Sequence, residues 1–405
     1  MRHVLALSTL YPNAAAPRFG TFVARSMESI ARRHRYLAPG AEEWRVTVVN
    51  PIGLPPIAFG KYRSVDGLPH REEWNGLTVH RPRFRLIPRF GARLNAAAIA
   101  RMAVPLIRQI HKETPIDLID AQFFFPDGPA AAQIAGELRL PLTIKARGSD
   151  ITHWGEQGFA RAQMLEAAAK ADGILAVSEA LADAAARMGM EREAIKVHYT
   201  GLDRDLFRPL AHTQLRSQLG GVLGFPMPER VPVFACVGAL IERKGQAIAL
   251  RALAEMRRDH PEARLIFVGT GEDEPRLRAL ADELGLARRV HFTGTIDHNM
   301  LPLVLSASNA MVLPTANEGL ANAWVEALAC GTPVITCDVG GVRELIRDRV
   351  AGRIVARDPA AIAQGLREVL ADQPDPLAVA ESVLAFDWRS HADRLAAHYA
   401  SLLAR

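Results

Sequence analysis

Two glutamates eight positions apart, Glu318 and Glu326, stand in the stretch LPTANEGLANAWVEALACGTPVIT, residues 313–336. The second is embedded among Ala, Val, Trp and Leu, where a carboxylate is costly unless it is paired or hydrogen-bonded. A vicinal diol such as a ribose suits it, because two hydroxyls can donate to two carboxylate oxygens. One of the chain's many arginines is the other candidate partner. Glu318 precedes a helical pattern, a place that favours an acid by itself, so neither glutamate is decisive alone. Between them Leu320, Ala321 and Asn322 open that helix, and the unpaired amides and positive dipole end of a helix start bind phosphate. Together the segment offers a ribose partner at Glu326, a phosphate seat at the helix start and a sugar-hydroxyl partner at Glu318. That set describes a nucleoside diphosphate sugar.

Other candidate groups sit where a strand pattern gives way to a helical one. In VGALIERKGQ a strand ends at Gly238 and a helix opens near Gly245. Arg243 and Lys244 therefore occupy a strand-to-helix loop, from which a cation reaches a diphosphate or else stays simply solvated. The first loop, STLYPNAAAPRFGTFVARS, offers Gly20 and Thr21 ahead of a helix, and glycine permits close backbone approach to an anion. IKARGSDITHW supplies Arg147, Gly148, Ser149 and Asp150 at a strand's carboxyl end, with His153 reading as a surface histidine. FFFPDGPAAA reads as a Pro-Asp-Gly turn carrying Asp127.

The elements that must hold these groups are short apolar runs alternating with longer amphipathic stretches, the pattern of parallel sheets covered by helices on both faces. In the first half, strands are expected at 3–9, 45–50, 77–83, 118–122, 141–146, 173–178 and 195–199. After a polar, proline-containing stretch the pattern restarts, with strands expected at 233–238, 263–269, 289–294, 310–315, 333–338 and 351–356. Several end in glycine, where a doubly wound sheet turns its loops toward a ligand, and two such domains in tandem would offer a cleft between two sets of loops. NAWVEALAC should stop at Gly331 in a left-handed cap. The final FDWRSHADRLAAHYASLLAR is an amphipathic helix with no strand after it, which either crosses the interdomain joint or caps its own domain.

A length of 405 residues suits two domains of roughly 200 residues each. With 49% hydrophobic and 23% charged residues the chain reads as globular, neither a fibre nor a disordered tail. No run approaches the roughly 20 apolar residues of a membrane span. The start, MRHVLALSTLYPNAAAP, reads as a first buried strand rather than a signal peptide. Cys236, Cys330 and Cys337 have no second Cys or His at metal-ligand spacing and read as buried free thiols of a reducing cytosol, so no metal site is expected there. The net charge of +5 is unevenly placed, since residues 74–112 hold eight Lys or Arg and no Asp or Glu. Arginines there interleave with Phe84, Leu86, Ile87 and Phe90, which suits either a surface facing anionic lipid headgroups or a solvated basic face over buried aromatics. Nucleic acid is not expected as a partner, because the patch is confined and no binding module is recognisable.

In this order the motifs resemble the family-4 retaining glycosyltransferases, whose fold is the two-domain GT-B arrangement. The likeness runs over nearly the whole chain: GTFV, RGSDI, GLDRDLFRP, VGALIERKG, IFVGTGEDEPRL, VHFTGTIDHNMLPLVLSAS, NEGLANAWVEALACGTPVI and VGGVREL. It implies an α/β architecture of two Rossmann-like doubly wound domains facing each other across a cleft. Residues 1–205 would form the acceptor side, 206–382 the nucleotide-sugar donor side, and 383–405 a helix crossing back to the first domain. It further implies that Glu326 holds the donor ribose, that Glu318 holds the transferred sugar and that Lys244 pairs with the diphosphate. Amides of Leu320, Ala321 and Asn322 would contact sugar and phosphate. Gly20, Gly238, Gly269, Thr295 and Gly319 join the donor-binding set, and Gly148, Asp150 and Asp127 the acceptor side.

Two positions depart from the family's pattern. An arginine usually follows the glycine that here is Gly238, but this chain has Ala239, and Arg243 is the candidate substitute. A histidine often stands where this chain has Arg147, and a guanidinium is a permanent donor that cannot act as a base at neutral pH. The family's retaining, front-face substitution needs no protein base, because the leaving phosphate oxygen takes the acceptor's proton. What remains is positioning and charge stabilisation, assigned here to Glu318, Lys244, Arg243 and Arg147. No Asp-x-Asp pair is placed for a divalent ion, so neither a metal nor another cofactor is expected.

The expected role is transfer of a hexose from a nucleotide-diphosphate sugar to a glycan or lipid-linked acceptor in bacterial cell-surface polysaccharide synthesis. The protein would be cytoplasmic and peripheral at the inner membrane. Rival readings are a soluble glycosyltransferase with a small phosphorylated acceptor, a non-catalytic sugar-nucleotide-binding protein of this fold, and a GT-B sugar-nucleotide epimerase.

Overall fold

Runs such as HVLAL and WRVTVV are apolar at nearly every position, so they bury fully only in a parallel sheet covered on both faces. The computed structural model describes residues 1–33, 43–55, 61–86, 91–210 and 214–404. They divide into a unit of Met1–Gly201 with Trp388–Arg405, and a second unit of Leu202–Asp387.

In the first unit the strands are β1 (Arg2–Leu7), β2 (Trp44–Val49), β3 (Ile52–Leu54), β4 (Arg71–Trp74) and β5 (Leu77–His80). They continue as β6 (Arg83–Arg85), β7 (Leu118–Ala121), β8 (Leu142–Ala146), β9 (Gly173–Ala176) and β10 (Ile195–Val197). Eight of them form one sheet in the order β10-β9-β8-β7-β1-β2-β5-β4. All its pairings are parallel except β4 on β5. The order reverses between β1 and β7, and ligands of such sheets bind beyond the carboxyl ends of the strands at that switch.

The second unit repeats the plan with β11 (Val233–Val237), β12 (Arg264–Val268), β13 (Val290–Phe292), β14 (Ala310–Leu313), β15 (Val334–Cys337) and β16 (Gly352–Val355). Its all-parallel order is β13-β12-β11-β14-β15-β16, with the switch between β11 and β14. Cys236, Cys330 and Cys337 are buried free thiols in this unit.

Each expected strand is present, but the stretch 77–83 is divided. β5 ends at His80, and Arg83–Arg85 pairs instead with β3 in a two-stranded sheet. Pro82, lying between them, has no N–H to give a continuing ladder. β3 and β4 escaped sequence reading because they are only three and four residues long and β4, REEW, is largely polar.

The helix Trp388–Leu403 packs on the first unit. It buries His391, Ala392, Leu395, Ala396, His398, Tyr399 and Leu402, a stripe at the three- and four-residue spacing of one helix face. Leu395, Tyr399 and Leu402 share a core with Met27, Trp44 and Val46.

The basic stretch 74–112 is not one surface. Arg81 is fully buried, donating to Asn50, Glu72 and the Pro12 carbonyl, and Phe84 is buried too. Arg83 donates to the Arg81 carbonyl at 2.7 Å, and Arg108 pairs with Glu137. Arg81 and Arg83 serve the fold, because each finds acceptors inside it, while the Arg108 pair lies at the surface. Ile87 and Phe90 lie outside the described residues. Exposed basic groups remain at Arg85, Arg93, Arg101 and Lys112, beside exposed Leu94 and Met102. Among the described residues no helix is long and apolar enough to cross a membrane.

Candidate functional site

The pairing of β11 with β14 brings together loops that are about 70 residues apart in sequence, 238–245 and 314–321. Lys244 Nζ donates to Glu318 Oε1 at 2.5 Å, and the two side chains are only 15% and 12% exposed. Arg243 Nη1 lies 3.3 Å from the same oxygen and also donates to the Asn317 carbonyl, yet its side chain is 47% exposed. The Thr315 hydroxyl stands 3.1 Å from Oε1. One carboxylate oxygen thus gathers an ammonium, a guanidinium and a hydroxyl.

Backbone contacts hold the loops against each other. The Ala316 amide donates to the Arg243 carbonyl at 2.8 Å, and Arg357 Nε to the Pro314 carbonyl at 2.9 Å. Gly245 has φ 77°, and a Cβ there would overlap the Pro314 carbonyl oxygen. Gly340 likewise leaves room for the Glu318 carbonyl, while the Gly341 amide donates to the Gly319 carbonyl at 2.7 Å. Gln246 Nε2 donates to the Ala239 carbonyl at 2.8 Å, and Ala239 itself is exposed. Thr315, Gln246, Arg357 and the role of Gly340 and Gly341 were missed from sequence. The adjacent glycines just after β15 were the available signal.

Glu326 lies in the helix Asn322–Ala329, whose Trp324, Val325, Ala327, Leu328 and Ala329 are buried. Glu326 is half-buried, so the helix is less core-like at that position than its composition suggests. Asn322 is exposed, and Leu320 and Gly319 are half-buried, at the helix entrance whose N-cap is Ala321. The helix ends as its sequence indicates: Gly331 is left-handed at φ 76°, and the Thr332 amide reaches back to the Ala327 carbonyl. Gly238, Gly269 and Thr295 follow the carboxyl ends of β11, β12 and β13. The Gly238 amide donates to Val268 and that of Gly269 to Gly294, each at 2.9 Å, and Thr295 is exposed.

In the first unit Gly20 caps the helix Thr21–Ala31. Asp127 opens the helix Asp127–Leu138, which corrects the expected Pro-Asp-Gly turn. An acid in a first turn followed by a run of alanines favours helix over turn. Asp127 is buried and accepts the Thr9 amide at 2.9 Å. Burial pushes its carboxyl up to about 7, against that hydrogen bond, with the nearby Asp150 adding to the rise. Asp150 Oδ2 accepts the Phe124 amide at 2.8 Å and Oδ1 the Gly148 amide at 2.7 Å, with the Arg147 and Ile151 amides also in reach. Its carboxylate is therefore occupied in shaping the loop from Arg147 to Ile151.

Arg147 Nε donates to the Gln122 carbonyl at 2.6 Å and Nη2 to the Gln122 side chain. Gln122 and the Tyr399 hydroxyl both donate to Asp120, whose carboxyl is buried and raised by that burial. Burial pulls Arg147 down to about 10, eased by Asp120 and Asp150, so it stays charged at neutral pH. Below this chain, fully buried Lys145 Nζ meets His198 Nδ1 at 2.7 Å, and His198 Nε2 meets the His391 carbonyl at 3.0 Å. Burial lowers both histidines and the lysine, with the neighbouring positive charges adding to it. Gln122, Asp120 and Tyr399 carried no sequence motif that marked them.

Among the described residues no group of three or more His, Cys, Asp or Glu is placed to hold a metal ion. The groups brought together are Glu318, Lys244 and Arg243 in one unit, and Arg147, Gly148, Asp150 and Asp127 in the other.

Comparison with known proteins supplies the enzyme class. A model described as Glycosyltransferase Family 4 matches residues 23–206, and one described as Glycosyl transferases group 1 matches residues 225–383. A protein named for teichuronic acid biosynthesis, the glycosyltransferase TuaC of Bacillus subtilis, is 28% identical over 353 residues, which is 84% of this chain and 82% of that one. The GDP-mannose-dependent alpha-(1-6)-phosphatidylinositol monomannoside mannosyltransferase of Mycolicibacterium smegmatis is 34% identical over 211 residues, covering 48% of this chain and 53% of its own length. The chain thus spans about half of that relative. The structure of Anabaena HepE in complex with UDP-glucose matches with a TM-score of 0.72 at 22% identity, over 99% of this chain and 100% of that one. With a Family 4 match over the first unit and a group 1 match over the second, each unit folded as a doubly wound parallel sheet, the chain is a glycosyltransferase of the GT-B fold.

Proposed function

We propose that the chain moves a sugar, with retention at the anomeric carbon and without a metal ion, from a nucleoside diphosphate sugar to a glycan or lipid-linked acceptor in bacterial cell-surface polysaccharide synthesis. The observation that carries the reading is the meeting of Lys244, Arg243 and Glu318 at the β11/β14 switch, where a doubly wound sheet binds its ligand. Lys244 and Arg243 take the diphosphate, the helix start at Leu320, Ala321 and Asn322 adds its amides, Glu326 takes the ribose and Glu318 the sugar. Gly238, Gly269, Thr295 and Gly319 complete the donor loops, and Gly20 adds its amide. In the first unit Arg147, charged at neutral pH, acts electrostatically, and Gly148, Asp150 and Asp127 shape the acceptor side.

In the transfer the bond from the anomeric carbon to the diphosphate oxygen breaks and the bond to the acceptor oxygen forms on the same face. The acceptor's proton passes to the departing phosphate oxygen, so no side chain need be a base. Fixed cations stabilise the charge that grows on the diphosphate. The nucleotide sugar as donor agrees with the UDP-glucose bound to HepE, and a cell-surface acceptor with the name of TuaC.

The reading is tested by thermal unfolding with UDP, GDP, ADP and a sugar conjugate of each. One base should raise the melting temperature, and no shift with any of them would overturn it. Attachment to the inner face of the membrane through the helix Asn95–Glu113 is part of the proposal, supported by exposed Arg101, Lys112 and Met102 with Arg93 and Leu94 just before it. Flotation with anionic vesicles at low salt should carry the protein upward; failure to float removes this part.

A further inference from the structure

We infer that Glu318 competes with the diphosphate for Lys244 and Arg243, so that the site favours an intact nucleotide sugar over the nucleoside diphosphate left after transfer. The inference rests on the proposed reading of those two cations as diphosphate ligands.

Glu318 Oε1 is 2.5 Å from Lys244 Nζ and 3.3 Å from Arg243 Nη1, and Glu318 and Lys244 are both more than four-fifths buried. The Lys244 stem runs past Gly238, its Cε 3.8 Å from where a Cβ on that glycine would stand. An anion arriving over the β11 end therefore meets a lysine that is already neutralised. Drawing Nζ away leaves a largely buried carboxylate short of its main donor, which is strongly unfavourable. Sharing Nζ, which has three hydrogens, holds carboxylate and diphosphate as like charges across one ammonium.

A sugar still attached to the diphosphate changes this balance. Its hydroxyls donate to Glu318 and replace what Lys244 gives up. A nucleoside diphosphate, or inorganic pyrophosphate, brings no such donor. At the position where the family usually has a further arginine stands Ala239, exposed and without charge, so the carboxylate opposes a smaller number of cations. The same ion pair therefore accepts the substrate and works against retention of the product.

The test is calorimetric titration of wild type, Glu318→Gln and Lys244→Met with inorganic pyrophosphate, with the nucleoside diphosphate identified by thermal unfolding, and with its sugar conjugate. In Glu318→Gln, Kd for pyrophosphate and for the nucleoside diphosphate should fall by about tenfold, the effect of about one favourable charge interaction. Kd for the sugar conjugate should fall less or rise. Unchanged or weaker binding of the two sugarless ligands overturns the inference. Glu318→Ala removes the same charge and serves if the glutamine variant does not fold. Lys244→Met isolates the underlying reading: equal pyrophosphate binding by wild type and Lys244→Met overturns the assignment of the cation itself. Lost binding there with no gain in Glu318→Gln overturns only the competition.

Discussion

Charged side chains collect at the carboxyl ends of the strands in both units, but their surroundings differ. Around β11 and β14, Lys244 and Glu318 are covered while Arg243 is nearly half exposed, and Ala239, Thr295 and Asn322 are open to solvent. Around β7 and β8, Asp120, Gln122 and Lys145 are sealed and bonded to Tyr399, Arg147 and His198. A polar group sealed with its partners specifies a packing arrangement, whereas one left partly open keeps bonding capacity for a ligand. The first gathering reads as a site and the second as a brace beneath Arg147, tying it through Gln122 and Asp120 to the last helix.

Three substitutions sharpen or break that contrast. The largest effect is expected from Lys244→Met, which removes a cation from the growing diphosphate charge. Sugar transfer should fall by about 10²-fold or more while the chain stays folded, and a fall below about tenfold would count against the site reading. Next, Tyr399→Phe removes one of the two donors to the buried Asp120 carboxyl and leaves only Gln122, while its Oδ1 already has no partner. Unfolding in urea should show a loss of about 1–3 kcal/mol, with nucleotide binding unchanged. A change in nucleotide binding without loss of stability would undo the distinction between brace and site.

The smallest effect is a pH dependence. Asp127 titrates near 7 in the folded chain, above the roughly 4 of an unfolded aspartate, so the native state holds the extra proton between those values. Its contribution to stability is greatest below about pH 4 and is lost as pH rises toward about 7. Asp127→Asn abolishes that decline. Measured against wild type, its melting temperature should improve between pH 5 and pH 8, by about 2–4 °C for each kcal/mol involved. An unchanged difference across that range would show that Asp127 titrates normally.

Much of this architecture was legible from apolar runs. The strand positions, the stop at Gly331 and the placing of Glu318 before its helix follow from local pattern, because burial on two faces and a left-handed glycine are local requirements. Local pattern failed where long-range partners decide. Arg81 reads as a surface charge but is buried, because Glu72, Asn50 and the Pro12 carbonyl surround its guanidinium. FFFPDG reads as a turn but starts a helix, and Glu326 reads as a core residue but is half-buried.

By itself the sequence determined that the chain alternates strands and helices in two successive sets, and that two glutamates, two adjacent cations and a helix entrance lie in strand-end loops. Tertiary structure alone decided which loops meet. The reversal of strand order sets β14 beside β11 and so Glu318 against Lys244, and the last helix brings Tyr399 to Asp120. The physical reason is range: strand and helix periodicity act over a few neighbouring residues, while an ion pair needs two distant segments to become neighbours, which only the order of strands in the sheet provides.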